Sequence, residues 1–297
     1  MIMSTNPGFL ILIKTHYISA RLLDMWVSLQ ALCNSSTYIL LNNEDNIFAE
    51  QEHMLVPGIR PFILPYTVSD MEKLGLPIVP RKPKWKNSWH NGDYGYYLAN
   101  LLFGAGCDIS RQLGEENIFV VQIDNDIGLA GCSWSDLILN LPINDYDAIS
   151  LGYTREPEKN WPHLIGAEKY YEKPSAMLFG FQGFRMSYLK DIYDSRLEQA
   201  QKLKHICNQK NIDYLDLSED DAYQYWPICE AFIASEFSKR KLRVMDIMKN
   251  VNSFWRHFNV STSSWIEPIG PSSLANGQVF LYHPLKEPCY GLYINPS

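Results

Sequence analysis

The sequence is poor in cysteine, has no excess of positive charge and contains no apolar run long enough to cross a bilayer. Its 297 residues include six cysteines, and no two of them form a CxxC pair. This usage argues against a disulfide-stabilised scaffold and favours reduced cysteines in a cytoplasmic protein. The apolar stretch Phe9 to Ile13 is too short for a signal peptide or a membrane span. We therefore expect no transmembrane segment, and peripheral membrane association is left open.

The charge balance bears on the possible partners. The chain has 26 Lys and Arg against 33 Asp and Glu, which gives a net charge of −7. A sequence-independent nucleic-acid binder needs a positive surface that matches the phosphate backbone, so we expect no nucleic-acid partner. An anionic ligand would have to be held by local cations or by a metal ion.

The hydrophobic periodicity predicts an α/β protein with a mostly parallel central sheet flanked by helices. A buried strand over 9–13, an amphipathic helix over 20–32 and a second strand over 38–41 form a strand–helix–strand unit, which implies a parallel pair. The stretch 57–90, rich in Pro and Lys, predicts loops with a short helix after Ser69 and Asp70. Further elements are predicted as helices over 91–102, 187–208 and 230–237 and as strands over 119–123, 147–151, 175–181, 213–217 and 280–282.

Polar clusters follow three of these strands at the point where each strand ends. They are Lys14 to His16, Asn42 to Asp45, and Asp124 to Asp126. In parallel α/β sheets, ligands bind beyond the carboxyl ends of the strands, where the loops gather. Three successive strands with polar ends therefore predict a ligand site at this edge.

The third cluster carries the chemistry. Asp124 and Asp126 are spaced i, i+2 after a buried strand, and on an extended backbone such side chains point the same way. Converging carboxylates repel unless a positive charge lies between them, and a hard divalent cation such as Mg²⁺ or Mn²⁺ fits oxygen ligands. The alternative is a strand that ends in an Asp-rich turn, since Asp and Asn favour turns.

With these residues in place, the chain resembles the GT-A class of nucleotide-sugar glycosyltransferases, and in particular a set of uncharacterised bacterial and fungal GT-A-like proteins. Four sequence segments carry the resemblance. Two of them are strand ends, namely Lys14-Thr15-His16 after the first strand and Ile123 to Ile127 with Gly131 following. The other two are the predicted helix start at Trp89 to Tyr94 and the segment Tyr282-His283-Pro284-Leu285-Lys286 near the C-terminus. It implies a single GT-A-like domain over 1–297. Residues 1–131 would bind the nucleotide-sugar, and residues 132–297 would bind the acceptor and complete the metal site.

The resemblance also implies roles for individual residues. The metal ligands would be Asp124, Asp126 and His283, although the first acid in such proteins often contacts the ribose or a metal-bound water instead. Contacts to the nucleotide would come from Thr15, His16, Asn43, Asp93, Asp124 and Lys286. Several of these have a local alternative, because Thr15 and His16 also suit a turn and Asp93 also suits a helix start. For the diphosphate, Arg185 is a further candidate cation, and for either Lys286 or Arg185 alone a solvated surface charge is the alternative.

The general base is the least determined role, because the chain lacks a clear Glu-Asp pair in the acceptor half. Glu230, at a predicted helix start, could deprotonate an acceptor hydroxyl, and Glu236 is the alternative base. Stabilisation of the helix dipole by an acidic first turn is the structural alternative for Glu230. With a base placed there the reaction would invert the anomeric configuration, and without one retention stays open.

The resulting hypothesis is a metal-dependent glycosyltransferase of polysaccharide biosynthesis. It would use Mn²⁺ or Mg²⁺ and transfer a hexosyl or related sugar from a nucleotide-sugar to a hydroxyl of a glycan or glycolipid. One rival is a nucleotidyltransferase or sugar-nucleotide pyrophosphorylase, but such enzymes usually carry a Gly-rich phosphate loop that Met1 to His16 lacks. The other rival is a non-catalytic GT-A-like binding protein.

Overall fold

A computed structural model describes residues 8–32, 35–43, 46–55, 58–77, 113–141, 143–159, 161–212, 217–250, 258–261 and 278–282. The strands are β1 (Gly8–Thr15), β2 (Ser35–Asn42), β3 (Ile63–Tyr66), β4 (Ile118–Asp124), β5 (Gly128–Ala130), β6 (Ala148–Thr154), β7 (Ala176–Arg185), β8 (Val244–Asp246), β9 (Phe258–Ser261) and β10 (Val279–Tyr282). The α-helices are α1 (Ala20–Gln30), α2 (Ile47–Gln51), α3 (Val68–Lys73), α4 (Trp134–Leu139), α5 (Leu189–Lys210), α6 (Glu219–Tyr225), α7 (Cys229–Lys239) and α8 (Ile247–Asn250). Short 3-10 helices lie at Glu52–Met54, Arg60–Phe62, Glu115–Asn117, Pro162–Leu164, Ala167–Lys169 and Met186–Tyr188.

The central sheet has seven strands in the order β3-β2-β1-β4-β7-β6-β8. Strands β3, β2, β1 and β4 are mutually parallel, and β8 is parallel to β6. Strand β7 runs antiparallel to both of its neighbours, β4 and β6. The predicted fold class, a mostly parallel sheet flanked by helices, is confirmed.

Both faces of the sheet are buried, which explains why β1 and β4 are apolar along nearly their whole length. One face packs against α1 and α4, and the other packs against α3, α5 and α7. The alternation of side chains divides β1 accordingly, with Ile11 in the first layer and Leu12 in the second. Helix α1 begins at a Ser19 cap whose hydroxyl accepts a hydrogen bond from the backbone N–H of Leu22.

The central sheet takes strands from both predicted halves of the chain, β1 to β4 from residues before 131 and β6 to β8 from residues after it. The boundary at residue 131 and the single-domain organisation stay predictions. The predicted helix over 91–102 and the first four residues of the predicted strand over 213–217 lie outside the described residues. In the part of the chain that is described, no helix is both long enough and apolar enough to cross a membrane.

Candidate active site

The ends of the parallel strands bring the predicted polar clusters together at one edge of the sheet. Lys14 near the end of β1 is in register with Asp124 at the end of β4. On the other side of β1, Thr15 is in register with Leu41 of β2, and Asn42 is in register with Tyr66 of β3. The carboxyl ends of β1, β2 and β4, for which the sequence predicted a shared edge, therefore lie together, and the unpredicted strand β3 ends beside them.

The closest charge pair at this edge joins β1 to β4. The Nζ atom of Lys14 lies 3.1 Å from Oδ1 of Asp124, and the two side chains are only 24% and 17% exposed. Lys14 is the only charged residue of an otherwise apolar strand. The positive charge that the two strand-end carboxylates require is thus supplied, at Asp124, by a lysine of the chain itself.

The surroundings shift the ionisation of this cluster. Burial disfavours the charged form of Lys14, but attraction by Asp124, assisted by Cys229 and Tyr66, outweighs it and raises the pKa of the ammonium. Burial also raises the pKa of the Tyr66 hydroxyl to about 12, with Lys14 opposing the shift and Asp124 adding to it. Lys14 is therefore a fixed cation, and Tyr66 is a neutral hydroxyl beside it.

The second carboxylate lies in a turn and not on the strand. Strand β4 ends at Asp124, and the backbone N–H of Ile127 donates to the carbonyl of Asp124 at 3.2 Å, which closes a turn through Asn125 and Asp126. The expectation that Asp124 and Asp126 point the same way rested on an extended backbone, and that premise does not apply to a turn. Asp126 is half-buried and stands directly after the carboxyl end of β4.

Asn125, between the two carboxylates, is almost fully buried. Its backbone N–H donates to the carbonyl of Lys14 at 3.0 Å, which ties the turn to the end of β1. Its side-chain Nδ2 is buried and has no hydrogen-bond partner among the residues that the structure describes. An unpaired buried donor is costly, about 1–3 kcal/mol, so it is a natural contact for an oxygen of a ligand.

A second, smaller sheet of β5, β10 and β9 connects the turn to the distant end of the chain. Strand β10 pairs antiparallel with β5, and Tyr282 stands opposite Gly128, two residues after Asp126. Gly131 allows this approach, because its φ of +91° suits glycine and a Cβ there would lie 2.0 Å from the carbonyl oxygen of Gln278. The described chain stops at Tyr282, one residue before His283.

Helix α7 begins near the same edge. Cys229, its first residue, is close enough to Lys14 to raise the pKa of that ammonium, and its thiol lies 3.1 Å from Oε2 of Glu230. Glu230 is half-buried in the first turn of α7. Glu230 directly follows Cys229, which packs in the same buried layer as Tyr66 at the end of β3.

Glu236, the alternative base, has a structural role instead. It is fully buried, accepts a hydrogen bond of 2.7 Å from the hydroxyl of Tyr171 and forms an ion pair with Arg240. A carboxylate that is closed off from solvent and already neutralised cannot take a proton from an acceptor. Of the two glutamates, only Glu230 remains a candidate for the base.

Three predicted nucleotide contacts lie at the edge but are engaged in local structure. The hydroxyl of Thr15 donates to the carbonyl of Tyr17 at 2.6 Å and accepts from its N–H at 3.2 Å. His16 packs edge-on against the ring of Tyr17. Oδ1 of Asn43 accepts from the N–H of Phe48 at 2.8 Å and so holds the turn into α2. The turn-forming alternative therefore describes Thr15 in this structure, and Asn43 also stabilises a turn.

Arg185, considered as a further candidate cation for the diphosphate, lies far from this edge of the sheet. It ends the antiparallel strand β7 and is in register with Phe119, near the start of β4, so it lies at the opposite edge of the sheet. Its guanidinium donates to the carbonyls of Glu116 and Asn144 and covers the ring of Phe119. Arg185 lies away from the candidate site because β7 runs antiparallel to β4, so that the carboxyl end of β7 is at the opposite edge of the sheet.

The remaining predicted residues, Asp93, His283 and Lys286, lie outside the described residues, as does the motif from Trp89 to Tyr94. Within the described ranges, no group of three or more His, Cys, Asp or Glu side chains is arranged to hold a metal ion. Asp124 and Asp126 offer oxygen ligands of the type that Mg²⁺ and Mn²⁺ prefer, which fits the predicted cation in donor chemistry.

Sequence reasoning missed four contributors to this site, namely Lys14 as a partner of Asp124, Tyr66, Asn125 and Cys229. For Lys14 a signal was present, since a lone charge near the end of an apolar strand that precedes a polar cluster is unusual. Tyr66 lies in the stretch predicted as loop. The place of Cys229 depends on the packing of α7, which local patterns do not reveal.

We predict that Lys14→Met destabilises the protein and increases its response to Mn²⁺. The variant removes the ammonium that neutralises a mostly buried carboxylate, so the free energy of unfolding should fall by about 1–3 kcal/mol and Tm by several degrees. A divalent cation at Asp124 would replace the lost charge, so Mn²⁺ should raise Tm more in the variant than in the wild type.

The matched control is Lys190→Met, which removes a lysine from the exposed pair with Asp194 on α5. Exposed pairs contribute about 1 kcal/mol or less, so this variant should change neither Tm nor the Mn²⁺ response noticeably. Equal Mn²⁺ responses in Lys14→Met and the wild type would show that the cation does not bind at Asp124.

Comparison with known proteins gives a likeness of fold only. No protein-family model matches the chain, and no curated protein matches it. Among solved structures, the galactosyltransferase LgtC in complex with donor and acceptor sugar analogues covers 93% of this chain and 87% of its own, at 13% identity and a TM-score of 0.40. The glycosyltransferase GlyE of Streptococcus pneumoniae covers 84% of this chain and 47% of its own, at 11% identity and a TM-score of 0.34.

A Bacillus anthracis protein described as a glucose-1-phosphate thymidylyltransferase, in complex with sucrose, covers 71% of this chain at 9% identity and a TM-score of 0.31. At such identities and TM-scores, neither it nor the glycosyltransferases can assign an activity to this chain. The fold class rests on the order and direction of the strands described above. The chain is thus similar to these proteins in fold alone, within the α/β class that its sequence predicted.

Proposed function

We propose that the protein transfers a sugar from a nucleotide-sugar donor to a hydroxyl group of a glycan or glycolipid, with the donor bound at the carboxyl edge of β1 to β4. The observation that carries the proposal is the cluster of Lys14, Asp124, Asn125 and Asp126 at this edge. It combines a fixed cation, two carboxylates and a buried amide nitrogen that has no hydrogen-bond partner among the described residues, all within one turn and the neighbouring strand. Such a mixture suits a ligand that carries both phosphate groups and a bound cation.

Asp124 and Asp126 would hold Mn²⁺ or Mg²⁺, and His283 would be the third protein ligand. The register of Tyr282 with Gly128 supports this proposal, because it brings the chain that leads into His283 beside the segment that follows Asp126. When bound, the cation supplies positive charge against the diphosphate of the leaving nucleotide. Lys286 would add a further positive charge on the same side.

The chain's own residues would then perform three tasks. Lys14 holds Asp124 in position and limits the negative charge of the edge. Asn125 can donate its free amide hydrogens to a phosphate or sugar oxygen. Glu230, in the first turn of α7, would accept the proton of the attacking hydroxyl, which makes an inverting, direct displacement the proposed mechanism. Thr15, His16, Asn43 and Asp93 are proposed to line the nucleoside end.

A screen of nucleotide-sugars tests the proposal without knowledge of the acceptor. Tm should be measured with UDP-, GDP-, CMP- and dTDP-sugars, each with and without Mn²⁺. One donor family should raise Tm with Mn²⁺ and do so much less without it, because the cation and the diphosphate bind together. If none of the donors raises Tm at millimolar concentration while nucleoside triphosphates do, the nucleotidyltransferase alternative is favoured instead.

A further inference from the structure

A groove with an unusual concentration of positive charge runs along β8, the outermost strand of the central sheet in the part of the chain that is described. We call it the basic groove. It has a volume of about 520 Å³ and is lined by residues that include Tyr146, Tyr153, Arg155, Lys241, Arg243 and Lys249. This volume falls within the range of about 300–1,000 Å³ that is usual for ligand sites.

The charge of the basic groove is opposite to that of the protein. Four of its lining residues are cationic and one, Glu156, is acidic, whereas the whole chain has a net charge of −7. Anions should therefore bind in the basic groove in preference to the rest of the surface, which is mostly negative and repels them.

Two of the four cations are already neutralised. Arg243 makes two hydrogen bonds to the carboxylate of Asp147, at 3.1 and 3.2 Å. Lys249 lies 3.1 Å from Asp246 and donates to the carbonyl of Tyr153. The contacts of Arg243 with Asp147 and of Lys249 with Tyr153 join the chain around β8 to the chain around β6.

The other two cations, Arg155 and Lys241, are exposed, and neither has a carboxylate within ion-pair distance among the described residues. Nε of Arg155 donates a hydrogen bond to the hydroxyl of Tyr153, at 3.4 Å. These two side chains are therefore available to bind an anion from solution.

Lys241 also occupies a position where a lysine is unexpected. Its φ is +56°, in the left-handed region. Its N–H donates to the carbonyl of Ser238, and the N–H of Leu242 donates to Phe237, which is the hydrogen-bond pattern that ends a helix at a glycine. Asn211 ends α5 in the same way with the same φ. A lysine in this conformation is more strained than a glycine would be, so replacement by glycine can remove the charge without straining the backbone.

The length of the groove indicates the kind of ligand. It extends from Tyr146 and Arg243, beside the amino ends of β6 and β8, to Arg155, just beyond the carboxyl end of β6. The groove reaches past both ends of β8, from Arg243 to Lys249, and the three residues of β8 alone span about 10 Å at 3.3 Å per residue, which is longer than a single phosphate or carboxylate group. The far end opens at the same sheet edge as the candidate active site.

We propose that the basic groove binds an anionic oligosaccharide, one whose sugars carry carboxylate or phosphate groups, with Arg155 and Lys241 as its main charged contacts. The choice of a glycan rests on the proposed glycosyl transfer, for which this chain would be the acceptor. Its reacting end would lie toward the carboxyl edge of the sheet, and its remaining sugars would follow β8.

Binding of fluorescent oligosaccharides, measured by anisotropy without any nucleotide, tests the proposal. The probes are an oligogalacturonate, a phosphorylated manno-oligosaccharide, a neutral dextran oligosaccharide and an acidic oligoglutamate peptide of equal charge. At least one of the two anionic glycans should bind more tightly than dextran and the peptide, with an affinity that falls as salt is added. The arm that binds identifies the carboxylate or the phosphate as the recognised group.

Lys241→Gly is the decisive variant, because it removes the charge and relieves the left-handed backbone at once. It should keep or raise Tm and weaken binding of the anionic glycan about tenfold. Arg155→Ala should weaken binding by a similar factor. Asn211→Gly is the matched control, since it makes the same backbone change at the end of α5, and it should leave glycan affinity unchanged.

Three results would overturn the proposal. The first is equal affinity for dextran and the charged glycans, and the second is tighter binding of the peptide, which would assign the groove to a protein partner. The third is a Lys241→Gly variant that binds the glycan as tightly as the wild type but self-associates. The positive charges would then serve only to prevent the edge strand β8 from pairing with another chain. The binding assay contains no nucleotide-sugar donor, so its result does not depend on sugar transfer. If the glycan binds but no sugar is transferred in a separate assay, the proposed function is contradicted and the assignment of the basic groove is not.

Discussion

Asp126→Ala is expected to abolish Mn²⁺-dependent donor binding and to reduce sugar transfer by about 10²-fold or more while the protein stays folded. The loss should be large because the variant removes one of two carboxylates that would hold the cation beside the diphosphate. The fold should survive because Asp126 is half-buried in a turn beyond the end of β4 and contributes no apolar surface to the core. Donor titrations with Mn²⁺, steady-state rates and Tm measure the three effects.

The control for this variant is Asp24→Ala, which removes an exposed carboxylate from α1 and changes the net charge equally. It should have no effect on donor binding or rate. If Asp126→Ala unfolds the protein, or lowers Tm strongly while the remaining folded protein binds donor normally, Asp126 is a residue of the turn and not a metal ligand.

Glu230→Gln is expected to slow transfer by about 10²–10⁴-fold with nearly unchanged donor affinity. The glutamine keeps the shape and hydrogen-bonding capacity of the side chain but cannot accept the proton of the acceptor hydroxyl. Single-turnover rates and donor Kd distinguish this result from a general loss of binding.

The alternative role of Glu230, stabilisation of the helix dipole, has its own control. Asp191 is the acidic residue in the first turn of α5, and Asp191→Asn removes a dipole interaction worth about 0.3–1 kcal/mol together with an attraction to Arg240. Both variants should lose a similar small amount of stability, and only Glu230→Gln should lose rate. If Glu230→Gln keeps more than about a tenth of the turnover with chemistry rate-limiting, Glu230 is not the base. The anomeric configuration of the product, determined by NMR, would then decide whether a base is needed at all.

Much of the fold could be predicted because its central strands have strong local signals. Strands β1 and β4 are continuous apolar runs, and α1 between β1 and β2 has a clear helical period. The direction of β7 had no such signal, because a strand reads the same in either direction. Because β7 runs antiparallel to β4, its carboxyl-terminal residue Arg185 lies at the edge of the sheet opposite the candidate site, where it cannot contact a diphosphate bound there.

Strand β3 was missed for a different reason. It lies in a stretch whose prolines favour loops, and one of them, Pro65, is within the strand. Proline lacks a backbone N–H, so it is tolerated only where that donor is not needed. Because β3 is an edge strand of the central sheet in the described part of the chain, Pro65 can pair with Leu41 on one side and face away on the other.

The site was predictable in outline and not in its contacts. The polar residues that follow the apolar strands gather at one edge, since parallel strands end together. The Lys14–Asp124 ion pair, by contrast, depends on the register of two strands more than a hundred residues apart. The carboxylates of the motif and the lysine could each be identified in the sequence, but the ion pair between Lys14 and Asp124 could not.

The most direct measurement is the transfer of sugar from the donor found in the screen, assayed first in excess EDTA and then after Mn²⁺ is restored. The account predicts that the chelator abolishes turnover by the wild-type protein, that Mn²⁺ or Mg²⁺ restores it, and that Asp126→Ala gains nothing from the added metal. Full turnover by the wild-type protein in excess chelator would contradict the account, because sugar transfer would then not require a metal ion bound by Asp124 and Asp126.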